Sequence, residues 1–214
     1  TYRGLMMEYS ALFEPLTLPN GAVLPNRLCK AAMEENLADP GQVPGQALYN
    51  LYDAWAQGGV GLILTGNVMI APDALTGPGG VVLQDNSALD RFRTWSAIAR
   101  SGGGHVWMQI NHPGRQVFAA MGEQALSASD IPVDLGKYSN LLGQPRAMTE
   151  AEILDTIQRF ANTAKLAEQA GFTGVQIHAA HGYLLSQFLS PLTNKRDDAW
   201  GGDRERRARM LLET

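Results

Sequence analysis

The densest group of reactive side chains is the run Gln176-Ile-His178-Ala-Ala-His181-Gly-Tyr183. Two of the chain's four histidines fall in it, and a phenol stands five residues past the first. Strand alternation puts Gln176 and His178 on one face, while His181 and Tyr183 follow beyond the strand's end. An imidazole N–H can donate to a carbonyl or nitro oxygen and polarise it, and a phenol can deliver a proton. The plainer reading is a set of satisfied polar groups at a strand end. The spacing also permits zinc, but catalytic zinc usually takes three protein ligands. Beyond His112 the cluster offers neither carboxylate nor thiolate, so no metal is expected.

Other reactive groups sit at the ends of separate apolar runs. Gln109 ends one such run and is followed by Asn111-His112-Pro113-Gly114-Arg115. Its amide both donates and accepts, which matches a flat heterocycle edge with alternating carbonyl and N–H groups. Arg115 fits a carboxylate partner in its own loop equally well. Glu34 lies at the end of the first run, where it could be a base, a redox-tuning charge or a solvated carboxylate. Lys30 shares a face with Leu28 and Ala32, and a charge there must be paired or reach water. Asn67 closes a further run.

The elements that would hold these residues alternate. A hairpin signal, Pro19-Asn20-Gly21, lies within 16–27. Four strand-then-helix units follow. The first pairs a strand at Leu28–Met33 with a helix at Gln46–Gln57, its stripe Leu48, Leu51, Tyr52 and Trp55. The second pairs Val60–Thr65, an apolar run of the kind buried on both faces, with a helix at Ser87–Arg100. The third has a strand at His105–Ile110 and an irregular stretch, 116–148, too long for a plain connector and read as a loop near the active site. Thr149 and Glu152 then form a capping-box signal, opening a helix that buries Ile153, Ile157, Phe160, Ala161 and Ala164 and stops at Gly171. The fourth has a strand at Gly174–His178 and a helix from Arg204. This pattern predicts a parallel α/β sheet. No glycine cradle follows the first strand, as a doubly wound nucleotide binder would require. Polar groups instead mark the ends of several strands, as at the top of a barrel.

The 214 residues carry a formal charge of -4 and are 45% hydrophobic. That balance gives no reason to expect nucleic acid as a partner. Arg204, Arg206, Arg207 and Arg209 read as a solvated helix face among acids. One cysteine, Cys29, rules out an internal disulfide. No run approaches the roughly 18 apolar residues of a membrane span, and Thr1–Glu8 shows no leader pattern, so a cytoplasmic location is expected.

The sequence resembles the Old Yellow Enzyme family of FMN-dependent ene-reductases (NADH:flavin oxidoreductases) from Leu12 onward. The resemblance is carried by Pro25-Asn26-Arg27 with Ala31-Ala32-Met33, Gly61-Leu62-Ile63, Gln109 to Arg115, and Ala170-Gly171-Phe172. Its strongest parts are His178 to Pro191 and Leu192 to Gly202. It implies a TIM (β/α)8 barrel, of which only about the first four βα units are present, forming one FMN-binding domain over 1–214. The hairpin would close the barrel bottom. It further implies non-covalent FMN, NAD(P)H as hydride donor, and an activated alkene (enone, enal or nitroalkene) as substrate. Hydride would pass from flavin N5, with His178 and His181 gripping the activating oxygen and Tyr183 as proton donor. Ala32 and Met33 would line the flavin, Gln109 would bond its pyrimidine ring, and Asn67 would meet its edge. Arg196 and Asp197 imply loop anchoring. Glu34 departs from the family's threonine or cysteine, which implies a side chain turned away or a shifted flavin potential. The missing C-terminal half would supply the phosphate grip, and without it two strand edges stay unpaired. A homo-oligomer is left open. The alternatives are a hydrolase or lyase using His178, His181 and Glu34, a flavin-dependent amine dehydrogenase or dienoyl-thioester reductase, or a non-catalytic flavin-binding protein.

Overall fold

Residues 10–122 and 124–214 are described by a computed structural model; the N-terminal stretch 1–9 and Glu123, part of the 116–148 loop, lie outside them. After a single 3-10 turn, β1 (Leu16–Thr17) and β2 (Val23–Leu24) form the antiparallel hairpin. Its turn closes through Gly21, whose amide donates to the Leu18 carbonyl.

The main sheet is built from β3 (Cys29–Lys30), β4 (Leu62–Met69), β6 (His105–Asn111) and β9 (Gly174–Ile177), parallel and in that order. Helices α1 (Gln46–Gln57), α2 (Leu89–Ala99) and α3 (Glu150–Gln169) link successive strands. This is the four-unit arc of a β/α barrel, with β3 and β9 at its two ends. Val68, Val106, Met108 and Ile110 are buried on one sheet face, in a single core with Leu48 and Tyr52 of α1, Phe92 and Trp95 of α2, and Ile153 and Phe160 of α3. Leu64, Trp107 and Gly174 align across the sheet, as do Asn67, Gln109 and Gln176. Strand alternation turns Trp107 and Gln109 away from Val106, Met108 and Ile110, and so away from the helices.

Helix boundaries agree closely with the sequence reading, while strand one is only two residues long. Strand two starts later than expected and runs on to Met69, so Asn67 lies inside it. The hydrophobic stripe of α3 is turned from the one expected. Thr156 and Thr163 are buried, whereas Ala161 is exposed. Each threonine hydroxyl donates to a carbonyl, of Glu152 at 2.7 Å and Leu83 at 2.6 Å, which offsets its burial. The Thr149 capping box is complete. Three strands and one helix were not anticipated: β5 (Val81–Val82) beside β4, the pair β7 (Leu126–Ser127) and β8 (Arg146–Ala147) inside the long loop, and α4 (Leu184–Leu189). The last helix, α5 (Arg204–Glu213), satisfies its arginines locally, Arg206 with Asp203 and Arg209 with Glu213. No helix among the described residues is long and apolar enough to cross a membrane.

Candidate active site

The site forms where β9 stops. After Ile177 the chain makes a tight turn in which His181 (φ 56°) and Gly182 (φ 72°) both take left-handed backbone. That turn folds the segment back so that three rings meet. The His178 centroid lies 5.1 Å from that of His181 and 4.9 Å from that of Tyr183, with 6.4 Å between the last two. All three pairs stand edge to face. The sequence run therefore becomes a true cluster.

Its protonation follows from local bonds. His178 is buried, and its Nδ1 accepts the Ala180 N–H at 3.2 Å. A neutral ring with an accepting Nδ1 carries its proton on Nε2. Burial, then the neighbouring His181, push the His178 pKa down, so the neutral tautomer is favoured. Burial, then the negative charge of Glu34, push the Tyr183 phenol up, so it stays protonated and able to donate. The pair thus offers an imidazole N–H and a phenol O–H side by side.

Glu34 is exposed and accepts from the Thr76 hydroxyl. Ala32 is half-buried and Met33 exposed, both just past β3. Lys30 takes no part in this cluster. It pairs with Glu35 at 3.8 Å beneath α1, its ammonium 4.0 Å from the Trp55 ring centroid.

Beside the rings runs a row of amides. Gln109 Nε2 donates to Gln176 Oε1 at 2.8 Å, and Asn67 is in register with both. Asn67 Oδ1 is buried without a partner, an acceptor that should find one. Gln109 Oε1 and Gln176 Nε2 also make no bond among the described residues. Two acceptors, Asn67 Oδ1 and Gln109 Oε1, and then one donor, Gln176 Nε2, are therefore available along the row. A set with both donors and acceptors can meet a flavin's pyrimidine edge, which carries both carbonyl and N–H groups. Among the described residues no three His, Cys, Asp or Glu side chains gather as a metal site.

Two residues to which the sequence reading gave no role hold the site together. Gln176 is half of the amide pair, and its alternation with His178 was its only signal. Gln187, buried in α4, accepts from Ser127 Oγ and the Arg115 N–H and donates to the Pro113 and Gly182 carbonyls. Gly114 (φ 61°) passes so close that a Cβ there would lie 2.3 Å from the Gln187 amide oxygen. Gln116 Nε2 donates to the His181 carbonyl at 2.9 Å, tying the root of the long loop to the same turn. Arg115 binds the Ile131 and Pro132 carbonyls rather than a carboxylate. Arg196 donates to the carbonyls of Ala128 and Met148, just past the paired strands β7 and β8, and pairs with Asp198, which anchors that part of the loop.

Residues 11–214 match the family model described as "NADH:flavin oxidoreductase / NADH oxidase family". A curated relative, the NADH-dependent flavin oxidoreductase iliE of Hypocrea jecorina, is 39% identical over 216 residues, covering 93% of this chain and 54% of that protein. Among solved structures, morphinone reductase in complex with tetrahydroNAD superposes with a TM-score of 0.85 at 28% identity, covering 95% of this chain and 58% of that one. The old yellow enzyme homologue from Zymomonas mobilis gives 0.84 at 29%, with the same coverage. The chain spans about half the length of the relatives it matches.

Proposed function

Because the chain belongs to the NADH:flavin oxidoreductase / NADH oxidase family, we propose that it is the substrate-clamping, FMN-binding portion of an NAD(P)H-dependent reductase of activated C=C bonds. The observation that carries this reading is the convergence of His178, His181 and Tyr183 beside the row Asn67, Gln109 and Gln176. FMN, once reduced by NAD(P)H, supplies the hydride that an enone, enal or nitroalkene accepts at its β-carbon.

The chain's residues do the rest. The amide row holds the pyrimidine edge, with Ala32, Met33 and Glu34 along the neighbouring strand end. His178, through its Nε2–H, and His181 donate to the activating oxygen, drawing electron density from the β-carbon as charge develops. Tyr183 gives its proton to the α-carbon. Burial of His178 lowers the local dielectric, so its hydrogen bond to the substrate is stronger than in water. The domain is taken as one unit over 1–214, the hairpin lying at the barrel bottom and the 116–148 loop bordering the site.

The test is Tyr183→Phe, followed by stopped-flow measurement of the two half-reactions. General-acid loss should slow alkene reduction by about 100-fold or more and leave flavin reduction by NAD(P)H intact. No effect on either half-reaction would favour a non-catalytic flavin-binding role.

A further inference from the structure

Simple alternation along β4 from Leu62 and Leu64 would put Gly66, not Asn67, on the face that carries Gln109. The register is broken at that point. Leu64 lies opposite Trp107, but Asn67 lies opposite Gln109, so β4 uses three residues where β6 uses two. This is a β-bulge, and such a bulge re-aims the side chains beyond it. Asn67 joins the amide row only because of it.

A bulge leaves backbone groups without ladder partners, and these must be satisfied. Here a buried side-chain cluster does so. Lys30 Nζ donates to the Leu64 carbonyl at 3.1 Å. The Gly66 N–H donates to Glu35 Oε1 at 3.0 Å and also faces Tyr52 Oη at 3.2 Å. Tyr52 Oη donates to the same Glu35 oxygen at 2.5 Å. Inside the bulge, Thr65 Oγ1 donates to the Gly66 carbonyl at 2.7 Å and accepts the Gln109 N–H at 2.9 Å. The fit leaves no room for a side chain at position 66, where a Cβ would stand 2.0 Å from Glu35 Oε2 and 2.3 Å from the Met33 carbonyl. Burial pushes the Tyr52 phenol well up, so it remains a neutral donor. A buried ion pair is a weak source of net stability, yet the backbone groups this one bonds, the Leu64 carbonyl and the Gly66 N–H, both lie at the bulge.

We propose that Lys30, Glu35 and Tyr52 are positioning residues for the flavin-facing amides, acting through the β4 bulge to set Asn67 level with Gln109 and Gln176. The proposal rests on the flavin reading above. None of the three side chains belongs to the amide row; they act on the backbone that carries Asn67.

The experiment is a double-mutant cycle on FMN affinity in the protein at its full natural length, read by quenching of FMN fluorescence. Tyr52→Phe and Asn67→Ala should each raise the Kd for FMN about tenfold, the loss of roughly one hydrogen bond. The double variant should be no weaker than Asn67→Ala to within about threefold, because both changes remove the same contact. Tyr52→Phe should also accelerate Gly66 amide exchange and move the visible flavin bands toward those of free FMN. If Tyr52→Phe does not fold, Glu35→Gln, which keeps the side-chain length, replaces it with the same expectation. Additive losses, or an unchanged Kd in the Tyr52 or Glu35 variant, overturn the positioning role while leaving the flavin reading in place. Wild-type protein that takes up no FMN overturns the flavin reading and the proposal together, before any variant is made.

Discussion

Replacing Gln187 by leucine is the most informative single perturbation of the site's support. The side chain is 1% exposed, and leucine keeps nearly its volume while making none of its bonds. The amide oxygen accepts from Ser127 Oγ at 2.9 Å and the Arg115 N–H at 3.2 Å. The amide nitrogen donates to the Pro113 carbonyl at 3.1 Å and the Gly182 carbonyl at 2.6 Å. These partners belong to three segments: the loop after β6, strand β7, and the turn that carries His181 and Tyr183. Each bond lost from a buried site costs about 1 kcal/mol, so with partial relaxation the loss is on the order of 2–4 kcal/mol. That should lower Tm by roughly 5–10 °C, measured by differential scanning calorimetry. Because Gly182 lies between His181 and Tyr183, the clamp should also loosen. Alkene reduction in stopped flow should fall about 10- to 100-fold, the effect of misplacing a reacting group by about an ångström. A Tm within about 1 °C of wild type together with an unchanged alkene rate would refute the claim that this amide holds the site.

Three further outcomes are expected. Glu34→Gln removes a negative charge that raises the Tyr183 pKa; since Tyr183 acts while protonated, activity is lost as pH rises through that pKa, and the alkaline limb of the alkene half-reaction should move to lower pH. An unmoved limb would mean the two groups do not interact. Burial lowers His112 from 6.5 to about 4, so the unfolded chain binds its proton first as pH falls. Stability should therefore drop by about 2 kcal/mol between pH 7 and 5, seen in urea melts, and His112→Gln should flatten that slope. Thr149→Ala opens the capping box of α3 and should cost about 1 kcal/mol, with faster amide exchange confined to the helix's first turn.

What was legible in the sequence was what local chemistry and periodicity encode. The Gln46–Gln57 helix and the capping box came straight from side-chain spacing, and the His178, His181 and Tyr183 cluster from types at a strand end. The α3 stripe was misread because threonine counts as polar in a pattern, whereas Thr156 and Thr163 carry their polarity inward to carbonyls. Gln187 gave no signal because its partners lie five to 74 positions away and are mostly backbone atoms. Glu34 could be assigned neither a direction nor a partner, since Thr76, which bonds it, sits 42 positions downstream.

The face on which Asn67 lies is the sharpest case. Alternation yields a phase only where apolar and polar residues take turns. Val60-Gly-Leu-Ile-Leu-Thr65 is almost wholly apolar, on the face that meets the helices and on the opposite face alike, so it carries no phase. A bulge hidden in such a run changes the facing of everything after it without changing composition. The information lies instead in residues distant in sequence, Lys30, Glu35 and Tyr52, whose polar groups would be costly to bury unless something in β4 lacked partners. Three polar groups near an apolar strand, with a glycine in that strand, are thus a readable sign of a bulge. The same pattern explains why Glu35 turns toward α1 while its exposed neighbour Glu34 bonds Thr76 instead.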